Sequence, residues 1–66
     1  MRFQEVFQSA CEFFEISPIE FSEASGLTLE EVSGLLNGSL YPDMRIAECI
    51  VKVFGGPAED WLKYDR

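Results

Sequence analysis

Two helix-start signatures stand on either side of a single glycine, and no other feature constrains this chain as tightly. Ser17-Pro18-Ile19-Glu20 offers Ser17 as an N-cap and Pro18 at the first helical position, where its missing N–H is no loss; Glu20, three residues on, closes a capping box. Thr28-Leu29-Glu30-Glu31 repeats the same logic just after Gly26, whose access to the left-handed conformation supplies the stop between them. Two short helices joined by so short a turn must cross at a steep angle. The second carries Val32, Leu35 and Leu36 as its buried stripe and ends at Asn37-Gly38.

The flanking segments extend the same pattern. Phe3, Val6, Phe7, Ala10, Cys11 and Phe14 recur at steps of three and four, opposite Gln4, Glu5, Gln8, Ser9, Glu12 and Glu15, which predicts an amphipathic helix over roughly residues 3–15. Downstream, Ser39-Leu40-Tyr41-Pro42-Asp43 reads as a loop. Ile46, Ala47, Ile50, Val51, Val53 and Phe54 then make a fourth helix apolar over so wide an arc that it should be the central, most buried one. Gly55-Gly56-Pro57 stops it, and Pro57 to Leu62 opens a fifth short helix with Glu59 and Asp60 in its first turn, where the helix dipole favours acids. The expectation is one all-α domain of five short helices over residues 1–66, without repeats.

A chain of this size has room for a single modest core and must use every apolar face. Phe3, Phe7, Phe14, Phe21, Phe54 and Trp61 are the expected aromatic core; Phe13, Leu29, Leu40, Tyr41 and Tyr64 fall off the buried stripes and are candidates for an exposed rim suited to a protein interface. Cys11 and Cys49 lie far apart, one in each of two apolar-periodic segments, and read as small buried hydrophobes in a reducing cytoplasm. With no His and no Cys pair at ligand spacing, neither a zinc site nor any other metal or cofactor is expected. No apolar run approaches a signal peptide or a membrane span, so the expected location is cytoplasmic. No activated-nucleophile pattern or phosphate-binding glycine loop is present, and carboxylates such as Glu12 and Glu15 have no cleft in so small a bundle, which argues against an enzyme.

Residues 16–63, about three quarters of the chain, resemble the Xre/Cro-type helix-turn-helix family, most closely its HigA-like antitoxin branch. The resemblance rests on Ile16 to Ser22, on the turn Gly26-Leu27-Thr28, on Val32-Ser33-Gly34-Leu35-Leu36-Asn37-Gly38, and on Pro42-Asp43-Met44, Lys52 to Gly55 and Pro57 to Leu62, in that order. It implies a helix-turn-helix bundle whose third helix enters the major groove of DNA, with Thr28, Leu29, Glu30, Ser33 and Gly34 turned toward the duplex. Gly34 stands where the family commonly has Arg, and Ser39 where Lys or Arg often follows the turn.

Charge points the other way. Twelve acids against five bases leave a net charge of −7, and no Lys or Arg occurs between Arg2 and Arg45, a stretch holding eight acids. Such a face repels phosphate backbones and attracts basic surfaces. The leading expectation is therefore a non-enzymatic acidic binding module or inhibitor, of the kind in which phage antagonists of nucleic-acid-targeting defence mimic DNA. It would occupy a basic, nucleic-acid-binding surface of a partner protein through Glu20, Glu23, Leu29, Glu30, Glu31, Ser33, Gly34, Leu40, Tyr41 and Asp43. The alternative is a homodimeric DNA-binding regulator or antitoxin of the resembled family, reading bases through Thr28, Glu30 and Ser33 and pairing through Trp61 and Tyr64. A third is an antitoxin-like subunit that binds only its protein partner.

Overall fold

In the computed structural model, which describes residues 2–65, the end groups of each helix account for its boundaries. Helix α1 (Phe3–Phe13) starts from an extended Arg2 without a side-chain cap. It ends in a Schellman arrangement: the Ile16 N–H donates to the Cys11 carbonyl at 3.0 Å, the Glu15 N–H to the Glu12 carbonyl at 3.1 Å, and Glu15 takes the left-handed position at φ 54°. Helix α2 (Pro18–Ser25) has the full capping box, with the Glu20 N–H donating to Ser17 Oγ and the Ser17 N–H to Glu20 Oε1. Helix α3 (Leu29–Asn37) has its counterpart between Thr28 and Glu31. Helix α4 (Met44–Phe54) is capped by Asp43, whose Oδ1 accepts from the Ile46 N–H at 2.9 Å.

Helix α1 packs on α3, α2 lies against both α3 and α4, and α4 carries the last element, a 3-10 turn (Ala58–Leu62). The core is formed by Phe3, Phe7, Phe21, Leu27, Val32, Leu35, Ile46, Ala47 and Ile50. Phe7 is its hub, its ring centroid 5.5 Å from Phe3, 5.1 Å from Phe21, 6.1 Å from Trp61 and 6.2 Å from Phe54. Aromatic pairs of this kind, Phe3–Phe7 stacked and the others edge-to-face, add about 0.5–1.5 kcal/mol each beyond the area they bury. Among the described residues no buried side-chain nitrogen or oxygen lacks a hydrogen-bond partner. Among the described residues the one buried polar side chain is that of Ser25, whose hydroxyl accepts from the Leu27 N–H.

The structure departs from the sequence expectation in four places. The fifth segment is a 3-10 turn and not an α-helix: with a double-glycine stop before it, five residues cannot repay the cost of an α-helical nucleus. Helix α4 is not the most buried: Ile46, Ala47 and Ile50 face inward, no more than the three buried residues of the shorter α3, while Met44 is exposed along with the polar Arg45, Glu48 and Lys52. Phe14 is 53% exposed because α1 stops at Phe13, which leaves its ring outside the core, stacked on Phe54 at 5.1 Å. Leu40, Tyr41 and Tyr64 are half-buried against the core and do not form an exposed rim.

Tyr41 and the chain ends explain that last difference. The Tyr41 hydroxyl donates to the carbonyls of Leu62 and Tyr64, and its ring meets Phe3 edge-on at 5.8 Å. Beside it the Phe3 N–H donates to the Asp65 carbonyl at 2.6 Å, so the start of α1 and the residues after the 3-10 turn are tied to each other.

Candidate functional site

The exposed side of α3 is where the sequence puts the binding face, and its first turn is built by the Thr28–Glu31 capping box. Leu29, the first residue of the helix, is 46% exposed; Glu30 and Ser33 are exposed as well. The side chains of Glu30 and Glu23 make no hydrogen bond or ion pair with any described residue, so both carboxylates are available to a partner. Glu20 and Asp43 are exposed but also serve as caps of α2 and α4.

Glu31 is more committed than its position in the sequence suggests. Besides closing the capping box it accepts a hydrogen bond from Arg45 Nη2 at 2.8 Å. That bond, together with the Thr28 N–H, holds the Glu31 carboxyl below the usual glutamate range, and Arg45 is raised in turn, chiefly by the same bond. Glu20 is lowered by the Ser17 backbone N–H and hydroxyl. The expected face was negative or neutral throughout; the structure places one guanidinium at its edge. Arg45 is the second residue of α4, and its ion pair with Glu31 links the first turn of α4 to the first turn of α3; Met44, which precedes it, is 45% exposed. Sequence reasoning missed Met44 and Arg45 because it assigned them only to the fourth helix. The signal was available in Asp43, which as N-cap leaves the two residues after it in an open first turn.

Gly34 does not belong to this face. It is buried, and a Cβ there would meet the Leu40 Cβ at 2.9 Å and the Ser39 Oγ at 3.3 Å. The helix and the following loop touch through that missing side chain, with the Leu40 N–H donating to the Gly34 carbonyl at 3.0 Å. An arginine cannot stand there without displacing the loop. Of the ten residues expected to bind a partner, Glu20, Glu23, Leu29, Glu30, Ser33 and Asp43 are exposed, Glu31 is partly covered, Leu40 and Tyr41 pack against the core, and Gly34 is inside.

The face is convex. Two depressions lie to either side of it, one of about 260 Å³ beside Phe3, Gln4 and Ser39 with Leu40 and Tyr41 in its wall, and one of about 540 Å³ between Cys11, Glu12 and Glu20; neither is lined by Leu29, Glu30 or Ser33. A convex helix face suits docking into a groove of a larger partner rather than enclosing a small molecule. Cys11 and Cys49 are free thiols, each partly buried, and burial pushes the Cys11 thiol up, away from the reactive thiolate. Among the described residues no cluster of metal-ligating side chains occurs, and no helix is long and apolar enough to cross a membrane. Set against known protein families, curated proteins and solved structures, the chain matches none of them.

Proposed function

We propose that the chain is a non-enzymatic, cytoplasmic binding module in which α2 and α3 form a helix-turn-helix unit, and that it uses the exposed side of α3 to occupy a basic, nucleic-acid-binding surface on another protein. The observation that carries this reading is the charge of that side. Glu30 and Asp43 are exposed next in sequence to exposed Leu29 and Met44, Glu20 and Glu23 are exposed on α2, and Arg45 is bonded to Glu31. Carboxylates arrayed on a convex helix stand in for backbone phosphates, in the manner of a DNA mimic or an anti-defence inhibitor. The apolar residues among them add area that electrostatics alone does not supply.

The alternative, a DNA-reading regulator or antitoxin of the Xre/HigA type, needs Thr28, Glu30 and Ser33 to face bases and needs neighbouring cations to hold the helix in the groove. The Thr28 hydroxyl already accepts from the Glu31 N–H and donates to Glu31 Oε1. A Glu can accept from cytosine, but with the nearby Arg45 already bonded to Glu31 no free cation among the described residues positions it, and that contact contributes little.

The test measures the pure protein against random duplex DNA and against an immobilised basic nucleic-acid-binding protein, at about 50 and 200 mM salt, where counterion effects are large. Binding to the basic protein that weakens with salt, with none to DNA, is the expected result. Micromolar or tighter affinity for duplex DNA overturns the reading.

A further inference from the structure

The largest exposed apolar residue lies away from the α3 face. Phe13 is 81% exposed at the last position of α1, its ring edge-on to Phe14 at 5.2 Å, and Phe14 is itself 53% exposed while stacked on Phe54. Two adjacent aromatic rings left in water cost a small domain stability that it could have recovered by burying them. Phe14 ties the pair to the core through Phe54, so the rings stand on a fixed base and do not hang from a loose end.

We propose that Phe13 and Phe14 form an anchor for a partner segment that presents an apolar cluster flanked by Lys or Arg. Charge selects this occupant. Glu12 and Glu15 flank the pair in sequence and are exposed; the Schellman turn fixes Glu15 directly after Phe14, in a left-handed position that glycine would fill at lower cost. A second copy of the chain is the wrong occupant on two counts. Two such patches would bring four carboxylates together on bodies each carrying −7, and the rings expose on the order of 300 Å² between them, against the roughly 800 Å² per partner of a stable interface. An anionic membrane surface is repelled by the same charges. The anchor is distinct from the α3 face and does not depend on the reading given to that face.

The probe is a labelled amphipathic peptide of Leu and Lys, with two controls: one carrying Glu in place of Lys, the other Ala in place of Leu. Binding is followed by fluorescence anisotropy with the wild type, Phe13→Ala and the double variant Glu23→Gln with Glu30→Gln. Phe13 contacts only Phe14 among the aromatic rings and sits on an exposed helix face, so Phe13→Ala keeps the fold, which circular dichroism verifies. The Leu/Lys peptide binds more tightly than either control; Phe13→Ala removes that advantage, a loss of roughly tenfold or more, and the α3 variant retains it. Equal binding by wild type and Phe13→Ala overturns the proposal, as does equal binding of the Leu/Glu peptide. A dimer seen by light scattering and dissolved by Phe13→Ala, or capture by vesicles of zwitterionic lipid, overturns it by assigning the rings to another occupant. If the α3 variant alone loses binding, the anchor fails; if Phe13→Ala alone loses it, the anchor stands, and the reading of the α3 face is decided separately by its own comparison of duplex DNA with a basic protein.

Discussion

Helices α2 and α3 differ from α1 in how they are held. Both of the former carry a complete capping box at the start and a left-handed glycine at the end, so the groups that define them lie within a few residues of one another. Helix α1 has no side-chain cap and ends on a glutamate in the glycine position. What secures it comes from far along the chain: the Asp65 carbonyl accepts from Phe3, Gln4 and Gln8 both donate to the Leu36 carbonyl, and the rings of Tyr41, Phe54 and Trp61 close around Phe3 and Phe7. One region is stabilised locally and the other by distant contacts, which predicts that the two respond differently to substitution.

The largest effect belongs to the distant contacts. Phe7→Ala removes the hub ring and is expected to cost about 3–5 kcal/mol, most of what a domain of this size possesses. Urea titration should find it largely unfolded; a loss near 1 kcal/mol would show that α1 is only loosely coupled to the core. Gly34→Ala comes next. It gains helix propensity of about 1 kcal/mol but forces a Cβ to within 2.9 Å of Leu40, and overpacking of this kind costs about 1–3 kcal/mol. Net destabilisation in a thermal melt is expected, and a rise in Tm would mean that the loop yields freely.

The local contacts give smaller changes. Ser17→Ala and Thr28→Ala should each cost about 1 kcal/mol. Their effects should add within about 0.5 kcal/mol, because each box is closed within its own helix start. Glu15→Gly relieves the left-handed strain at the end of α1 and should stabilise by up to about 1 kcal/mol. Unchanged or lower stability would point to a favourable contact made by the Glu15 side chain.

The pH response probes the same boxes. Glu20 and Glu31 are both held below the ordinary glutamate value of about 4.3, so what they contribute is complete above that value and is lost as pH falls through their lowered folded-state values. Stability should therefore drop on acidification, and Glu20→Gln with Glu31→Gln should flatten the drop; an unchanged acid limb would place the titrating groups elsewhere.

The same contrast explains what the sequence discloses. The spans of α2 and α3 were legible because cap, acid and glycine lie close together in the chain, and that of α4 because its apolar period runs from Ile46 to the Gly55-Gly56 stop. The exposure of Phe14 and the cover over Leu40 and Tyr41 were not, because they depend on where α1 stops and on carbonyls of Leu62 and Tyr64, more than twenty residues from Tyr41. At the candidate site, exposed Leu29, Glu30 and Ser33 followed from helical periodicity. The inward position of Gly34 and the Arg45–Glu31 pair are tertiary facts that no spacing within α3 encodes.

The bond between Phe3 and Asp65 bears on the order of assembly during synthesis. During synthesis α2 and α3 can each form from their own neighbours, whereas α1 finds its last partner only when residue 65 is free. Helix α1 is thus locked only once its distant partners are in place, and until then Phe3 and Phe7 lack the Trp61 ring that closes over them. That interval is when binding to chaperones or premature proteolysis would act on this protein.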